Sequence, residues 1–467
     1  MCDNIDCLLI GYSGVEKRAL EYKKLIENNA AVDHIQVGLN AAISYLGTEL
    51  GKRDLSFEFI NSIEGSTHIL ERYLQNKEIL SIGISTTICP SLEQLTKLIK
   101  FIKRLRPEIP IILGGALIVY FVREKLKEGN EIFNKEMRDI NADYIVNSIY
   151  GEDIFAKLVL YLKQKKNCNN IPNLLIRSEA SFYSSPISEE EYILDDRHID
   201  WSLFKGKTGG AVVVRTSLSC CFRCNFCSFH VRAGKYKNVS VKWIEEELNA
   251  IERLGEVKLV HFIDDTFNVP LNRFKEILRM FIKNGYSFKW HSYIRCQALD
   301  EEAVQLMKES GCIGVFLGLE SGSDQVLKAM NKAAKIADYK KGLALLKKYD
   351  ITIVASFFVG FPGETINTVA ETFRFIKEVS PAFYYLGTWF YEPNTPISRY
   401  KEQYKLTGCY NNWKHMTMDS DMANKLVMQM KNSIKNSILL EYLSYPFLFQ
   451  IINSNITIRS LKKYFKR

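Results

Sequence analysis

Cys220, Cys224 and Cys227 stand in one short run, Thr216-Ser-Leu-Ser-Cys-Cys-Phe-Arg-Cys-Asn-Phe-Cys-Ser-Phe-His230, directly after an apolar strand-like segment, Ala211–Val214. The spacing C-x3-C-x2-C delivers three thiolates from a single loop at the end of a strand. A four-iron, four-sulfur cluster has four iron corners, and most electron-transfer clusters cap all of them with cysteine. Three ligands leave one iron open to a substrate or cofactor, which turns an electron carrier into a catalyst. Two other readings of the same residues exist. Cys221 lies beside the first ligand, and the register 221/224/227 gives a zinc-like CxxC pair with one thiol over. A structural zinc site wants four closed Cys or His ligands, and His230 would be the fourth.

The bulk of the chain suits such a site. Its 467 residues are enough for two or three domains, and 47% hydrophobic with 25% charged residues is ordinary for a soluble globular protein. No run approaches the roughly 20 apolar residues needed to span a bilayer. The start, Met-Cys-Asp-Asn-Ile-Asp, lacks the basic segment and apolar core of a signal peptide. Eleven cysteines without framework spacing fit a reducing compartment. The expected location is the cytoplasm, with no membrane partner. The net charge of +9 is spread along the chain, gathering at Lys97–Lys127 and Arg459–Arg467. It forms no dense basic stripe with interleaved aromatics, so no nucleic-acid partner is expected.

Residues 1–165 alternate apolar strands with helices. Strand candidates at Cys7–Ile10, Leu55–Ile60, Ile79–Ile84, Pro110–Leu113 and Ala142–Val146 end in polar or glycine-rich turns. Ser91 and Gln94 open a helix whose stripe is Leu92, Leu95, Leu98, Ile99, Ile102 and Leu105. The pattern predicts an α/β fold that begins with a doubly wound, Rossmann-like domain, in which ligands sit at the carboxyl ends of the strands. The candidate binding residues there are Ser85, Thr86, Thr87, Gly114, Gly115, Gly151 and Glu152. Residues 166–205 read as a linker.

The alternation resumes over residues 206–400, with six β/α units that predict a partial, open barrel. Its strand ends carry Asp264 and Asp265, Arg295, Glu320 and Ser321, then Gly360 and Pro362. The paired carboxylates would hold a cationic group or cap a helix. Glu320, before a small polar helix start, suits a ribose hydroxyl, and Arg295 a carboxylate or a core acid. The glycines around Pro362 would admit a flat base. Residues 401–467 read as a helical region.

The cysteine run with these strand ends in order behind it resembles the radical S-adenosylmethionine (SAM) superfamily. The layout of residues 5–165 resembles the cobalamin-binding domain of its class B methyltransferases. Phe262-Ile-Asp-Asp-Thr-Phe-Asn-Val-Pro270, Gly311–Ser323 and His415-Met-Thr-Met-Asp419 resemble most closely the PhpK-type P-methyltransferases. The resemblance implies a [4Fe-4S] cluster on Cys220, Cys224 and Cys227, with SAM on its open iron. Phe226 would pack on adenine, Asp264 or Asp265 would receive the SAM amino group, and Glu320, Ser321, Arg295, Gly360 and Pro362 would hold the rest. It also implies cobalamin in the first domain. Cobalamin should lack a histidine ligand, because no Asp-x-His-x-x-Gly run occurs there. The implied reaction is methyl transfer, by way of methylcobalamin, to a phosphinate phosphorus or an unactivated carbon of a natural-product or peptide substrate. An electron donor of the flavodoxin or ferredoxin type would drive it. The alternatives are a non-methylating radical SAM enzyme that rearranges or cross-links its substrate, and a zinc-stabilised binding module.

Overall fold

A computed structural model describes residues 4–12, 38–179, 181–188, 193–441, 443–454 and 456–465. They fall into two compact units, divided at Val212/Val213.

The first unit is built on a seven-stranded sheet. Its strands are β1 (Cys7–Ile10), β2 (Phe57–Ile60), β3 (Ile82–Ser85), β4 (Ile111–Gly114), β5 (Tyr144–Val146), β6 (Leu174–Arg177) and β7 (Phe182–Ser184), in the order β2-β1-β3-β4-β5-β6-β7. The first five pair in parallel and the last two add antiparallel. The order 2-1-3-4-5 is that of a flavodoxin-like doubly wound sheet. Both faces of a parallel sheet are covered, so its strands run apolar throughout: Leu8, Ile10, Ile82, Ile84, Ile111, Leu113 and Ile145 share one core. The helix Leu92–Leu105 starts where Ser91 accepts a hydrogen bond from the Gln94 N–H at 3.2 Å, and it buries Leu95, Leu98, Ile99 and Ile102. The stretch read as a linker is more ordered than that, because β6 and β7 extend the sheet from within it. Residues 180 and 189–192 of it lie outside the described residues.

In the second unit the strands run in sequence order across one open seven-stranded sheet. They are β8 (Ala211–Val214), β9 (Leu259–Phe262), β10 (Lys289–Ile294), β11 (Cys312–Glu320), β12 (Thr352–Val359), β13 (Phe383–Thr388) and β14 (Ile438–Leu439). Every pairing from β9 to β14 is parallel, and a helix follows each of the strands β8 to β12. Alternation along β9 and β10 sorts their side chains between the two faces. Phe262 and Trp290 join Phe267, Phe274 and Phe281 in one aromatic cluster. His261 and His291 point the other way and stack on each other at 4.3 Å.

The C-terminal region is not simply helical. It supplies β14, a three-stranded antiparallel meander (Thr407–Cys409, Asn412–His415, Met418–Asp419), and the helix Tyr445–Asn453. That helix lies over the inner face of the sheet. Tyr445 packs on His291, Tyr293 and Phe316, and its hydroxyl donates to the Ser292 carbonyl at 2.6 Å. Phe449 stacks on His291. The hydrophobic payload of these rings explains the placement: Tyr445, Phe449 and Leu448 are buried to 3% exposure or less. Among the described residues no helix is long and apolar enough to cross a membrane.

Candidate active site

Beyond the carboxyl end of β8 the chain turns through Ser219, whose φ of +64° is in the left-handed region, into the cysteine loop. Cys220, Cys224 and Cys227 line a cavity of about 180 Å³ together with Phe226, Asp265, Thr266, Arg295, Glu320 and Lys332. Cys221 is exposed and is not part of that lining. The loop is tied to the segment after β11. The Asn225 N–H and side-chain amide donate to the Met330 and Ala329 carbonyls, and Asn331 donates to the Arg223 carbonyl, each at 2.8 Å. Among the described residues no three His, Cys, Asp or Glu side chains close on a single metal ion, the arrangement a structural zinc with His230 would need.

The adjacent acids at the end of β9 have separate duties. Asp264 is buried and accepts from the Thr216 N–H at 2.9 Å, the Ser217 N–H at 2.5 Å, and both hydroxyls at 3.0 and 2.7 Å. Its oxygens are occupied in holding the chain that leads into the cysteine loop. Burial pushes its carboxyl above the ordinary carboxylate range even so. Asp265 faces the cavity instead. Its carboxyl reaches open space, yet surrounding protein desolvates it, and Asp264 next door adds repulsion, pushing it up to about 7.

Glu320 closes β11 with φ +67°, an uncommon conformation for a residue with a side chain. Its carboxylate pairs with Lys332 at 2.9 Å, both groups being buried. Gly318 makes room for this: a Cβ there would meet Glu320 Oε1 at 2.4 Å. The Lys332 ammonium also lies 5.3 Å from the centre of the Phe226 ring. Arg295 is buried beside them, its guanidinium 3.5 Å from the Phe222 ring and donating to Cys224 Sγ at 3.1 Å and the Lys332 carbonyl at 2.6 Å. Its partners are therefore a thiol and a carbonyl, not a core acid.

Besides Asp264, three expected contacts are absent from this wall. Ser321 is buried, its hydroxyl against Thr372 Oγ1 at 3.1 Å and accepting from the Ser323 N–H at 3.2 Å, so it seats the following helix. Gly360 is approached by a ring, but the ring is Trp413 of the meander, whose indole a Cβ would meet at 2.2 Å. Pro362 is buried in the same turn, which Glu364 fixes by accepting the Gly360 N–H at 2.5 Å. Sequence reasoning missed Lys332, Tyr293, Phe316 and Thr266. Only Thr266 had a local signal, its place just after the paired acids.

In the first unit a cleft of about 80 Å³ lies at the ends of β3, β4 and β5. Ser85, Thr87, Gly114, Gly115, Gly151 and Glu152 line it, beside Ser148 and the apolar Ala42, Leu46 and Phe155. Gly115, at φ +101°, lets two strand-end turns approach closely, since a Cβ there would meet the Thr87 nitrogen at 2.7 Å. Thr86 does not reach the cleft. It is buried, donates to the Gly114 carbonyl at 2.9 Å and accepts from the Ile118 N–H at 3.1 Å.

Comparison with known proteins agrees with this geometry. The family model described as the Radical SAM superfamily matches residues 214–376. An uncharacterized methyltransferase of Pyrococcus horikoshii is 26% identical over 353 residues, which are 74% of this chain and 74% of that protein. The radical SAM methyltransferase TsrM from Kitasatospora setae, solved with cobalamin and a [4Fe-4S] cluster bound, superposes with a TM-score of 0.63 at 16% identity, covering 85% of this chain and 78% of that one. The cobalamin-dependent SAM radical enzyme OxsB, solved with aqua-cobalamin, gives a TM-score of 0.60 at 18% identity over 80% of this chain and 52% of that one. The two structural likenesses are likenesses of fold. Cysteine loop, open parallel sheet and matched segment together identify residues 214–376 as a radical SAM domain.

Proposed function

We propose that this radical SAM enzyme is a cobalamin-dependent methyltransferase whose acceptor is not a nucleophile, with a phosphinate phosphorus or an unactivated carbon as the acceptor. The observation that carries the reading is the set of three thiols opening on one cavity with an acid, a cation and an aromatic ring suited to SAM. When bound, the cluster supplies an electron to the SAM sulfonium, and cobalamin supplies a methyl group that a substrate radical can capture.

The chain's own residues would position these groups and exclude side reactions. Cys220, Cys224 and Cys227 hold the cluster. Asp265 receives the cationic amino group of SAM, whose binding favours the ionised carboxylate and offsets its desolvation. Glu320, oriented by Lys332, accepts from ribose hydroxyls, and Phe226 offers its face to adenine. Tyr293 and Phe316, backed by Tyr445, close the apolar side of the cavity. The cleft at Ser85, Thr87, Gly115 and Gly151 has the small polar lining and strand-end position suited to cobalamin.

Anaerobic reconstitution tests the cofactor assignment. The chain should take up about four irons and four sulfides, retain cobalamin, and form 5′-deoxyadenosine from SAM under a strong reductant. Ala at Cys220, Cys224 or Cys227 should abolish that cleavage, while Cys221→Ala should keep most of it. Zinc in place of iron and sulfide would overturn the assignment.

A further inference from the structure

We infer that Arg295 sets the reduction potential of the cluster by donating a charge-assisted hydrogen bond to the thiolate of Cys224. The inference rests on the cluster assignment above and adds a redox role to a residue first expected at the SAM carboxylate.

Four observations converge. The guanidinium lies 3.1 Å from Cys224 Sγ, closer than the 3.7 Å separating Cys220 Sγ from Thr266 Oγ1. Arg295 makes no ion pair with a carboxylate among the described residues, although only 8% of it is exposed. A buried cation without a counter-charge is costly, and three thiolates around a cubane leave net negative charge to fill that role. The group is also held from several sides. Its backbone exchanges two hydrogen bonds with Asn268 at 3.0 and 2.9 Å, its plane rests on Phe222, and a second nitrogen is anchored on the Lys332 carbonyl. Finally, Cys224 is buried, so water competes little for its sulfur.

Net charge, hydrogen bonds to sulfur and solvent exposure are the levers that set a cluster's potential. A fixed positive donor favours the reduced state, which carries one more negative charge. Arg295 would therefore bring the cluster within reach of its electron donor.

The test is a potentiometric titration, followed by EPR of the reduced cluster, on the full-length chain reconstituted anaerobically without SAM or cobalamin. Arg295→Met with a full iron complement should have its midpoint shifted to lower potential, and Arg295→Lys should fall between it and the unaltered chain. A role confined to holding the loop would lower iron content but leave the potential of the assembled fraction unmoved, and that result overturns the inference. Should the Met variant assemble no cluster, the Lys variant decides: a lower potential supports the inference, and an unchanged or higher one overturns it. An unaltered chain that assembles no four-iron cluster would overturn the cluster assignment instead.

Discussion

Replacing Asp264 by Ala would strand the Thr216 and Ser217 N–H groups in a buried site. Each unsatisfied buried donor costs about 1–3 kcal/mol, so denaturant unfolding should show a loss of roughly 3 kcal/mol or more. SAM affinity of the folded fraction should stay near that of the unaltered chain. Asp265→Asn should behave oppositely, with weakened SAM binding and little lost stability. Calorimetric titration alongside unfolding separates the two, and reversed results would show that the two roles are exchanged. Sequence alone could not divide this pair, because neighbouring residues at a strand end point to opposite sides and a shift of one position swaps them. Glu364 offers a pH test. Burial pushes its carboxyl up to about 7, whereas the unfolded chain ionises near the ordinary 4.3. The folded state thus holds the proton longer, and its stability falls as pH rises from about 4.5 through 7. Glu364→Gln keeps an acceptor for the Gly360 N–H and removes the charge. Its stability advantage should be absent at pH 4 and grow to roughly 3 kcal/mol by pH 8, as read from unfolding midpoints. An advantage independent of pH would contradict this.

At the scale of elements, the helix Tyr445–Asn453 has the clearest consequence. A Cβ on Gly314 would meet the Phe449 ring at 2.1 Å and the Thr352 carbonyl at 2.7 Å. Gly314→Ala should therefore destabilise the second unit by about 1–3 kcal/mol through overpacking. Phe449→Ala, which empties the same space, should cost about 3–5 kcal/mol. Chemical denaturation checks both, and a neutral effect of Phe449→Ala would mean the helix is not part of that core. The alternating strands and helices were legible because each is written in local periodicity, down to the Ser91 cap and its stripe. The destination of the helix Tyr445–Asn453 was not, since Phe449 and Gly314 meet across the fold and no local pattern records it. For the same reason a glycine turn read as open to a flat base proved to be filled by Trp413, which comes from the meander after the last long strand. The strands β6 and β7 carried weaker signals: β6 has the apolar run Leu174-Leu175-Ile176 but only four residues, and β7 is three residues of which two are exposed.

For the whole molecule, the decisive signal was the rarest one. A C-x3-C-x2-C loop after an apolar strand constrains cofactor, fold and strand-end chemistry at once, and a radical SAM domain at residues 214–376 agrees with it. The cleft residues of the first unit were legible as turn chemistry at strand ends, apart from Thr86, whose hydroxyl turned inward to the backbone. The apolar wall of the cavity was not legible, because Tyr293 and Phe316 come together from different strands and Tyr445 backs them from far along the chain. Methyl transfer is checked with SAM labelled in its methyl group, given to the reduced, cobalamin-loaded chain with phosphinate and peptide substrates in turn. A cobalamin-dependent methyltransferase should give labelled product with a new C–P or C–C bond, with one 5′-deoxyadenosine and one S-adenosylhomocysteine formed per product. Unlabelled product accompanied by normal deoxyadenosine formation would contradict it, and would make the protein a radical SAM enzyme that does not methylate.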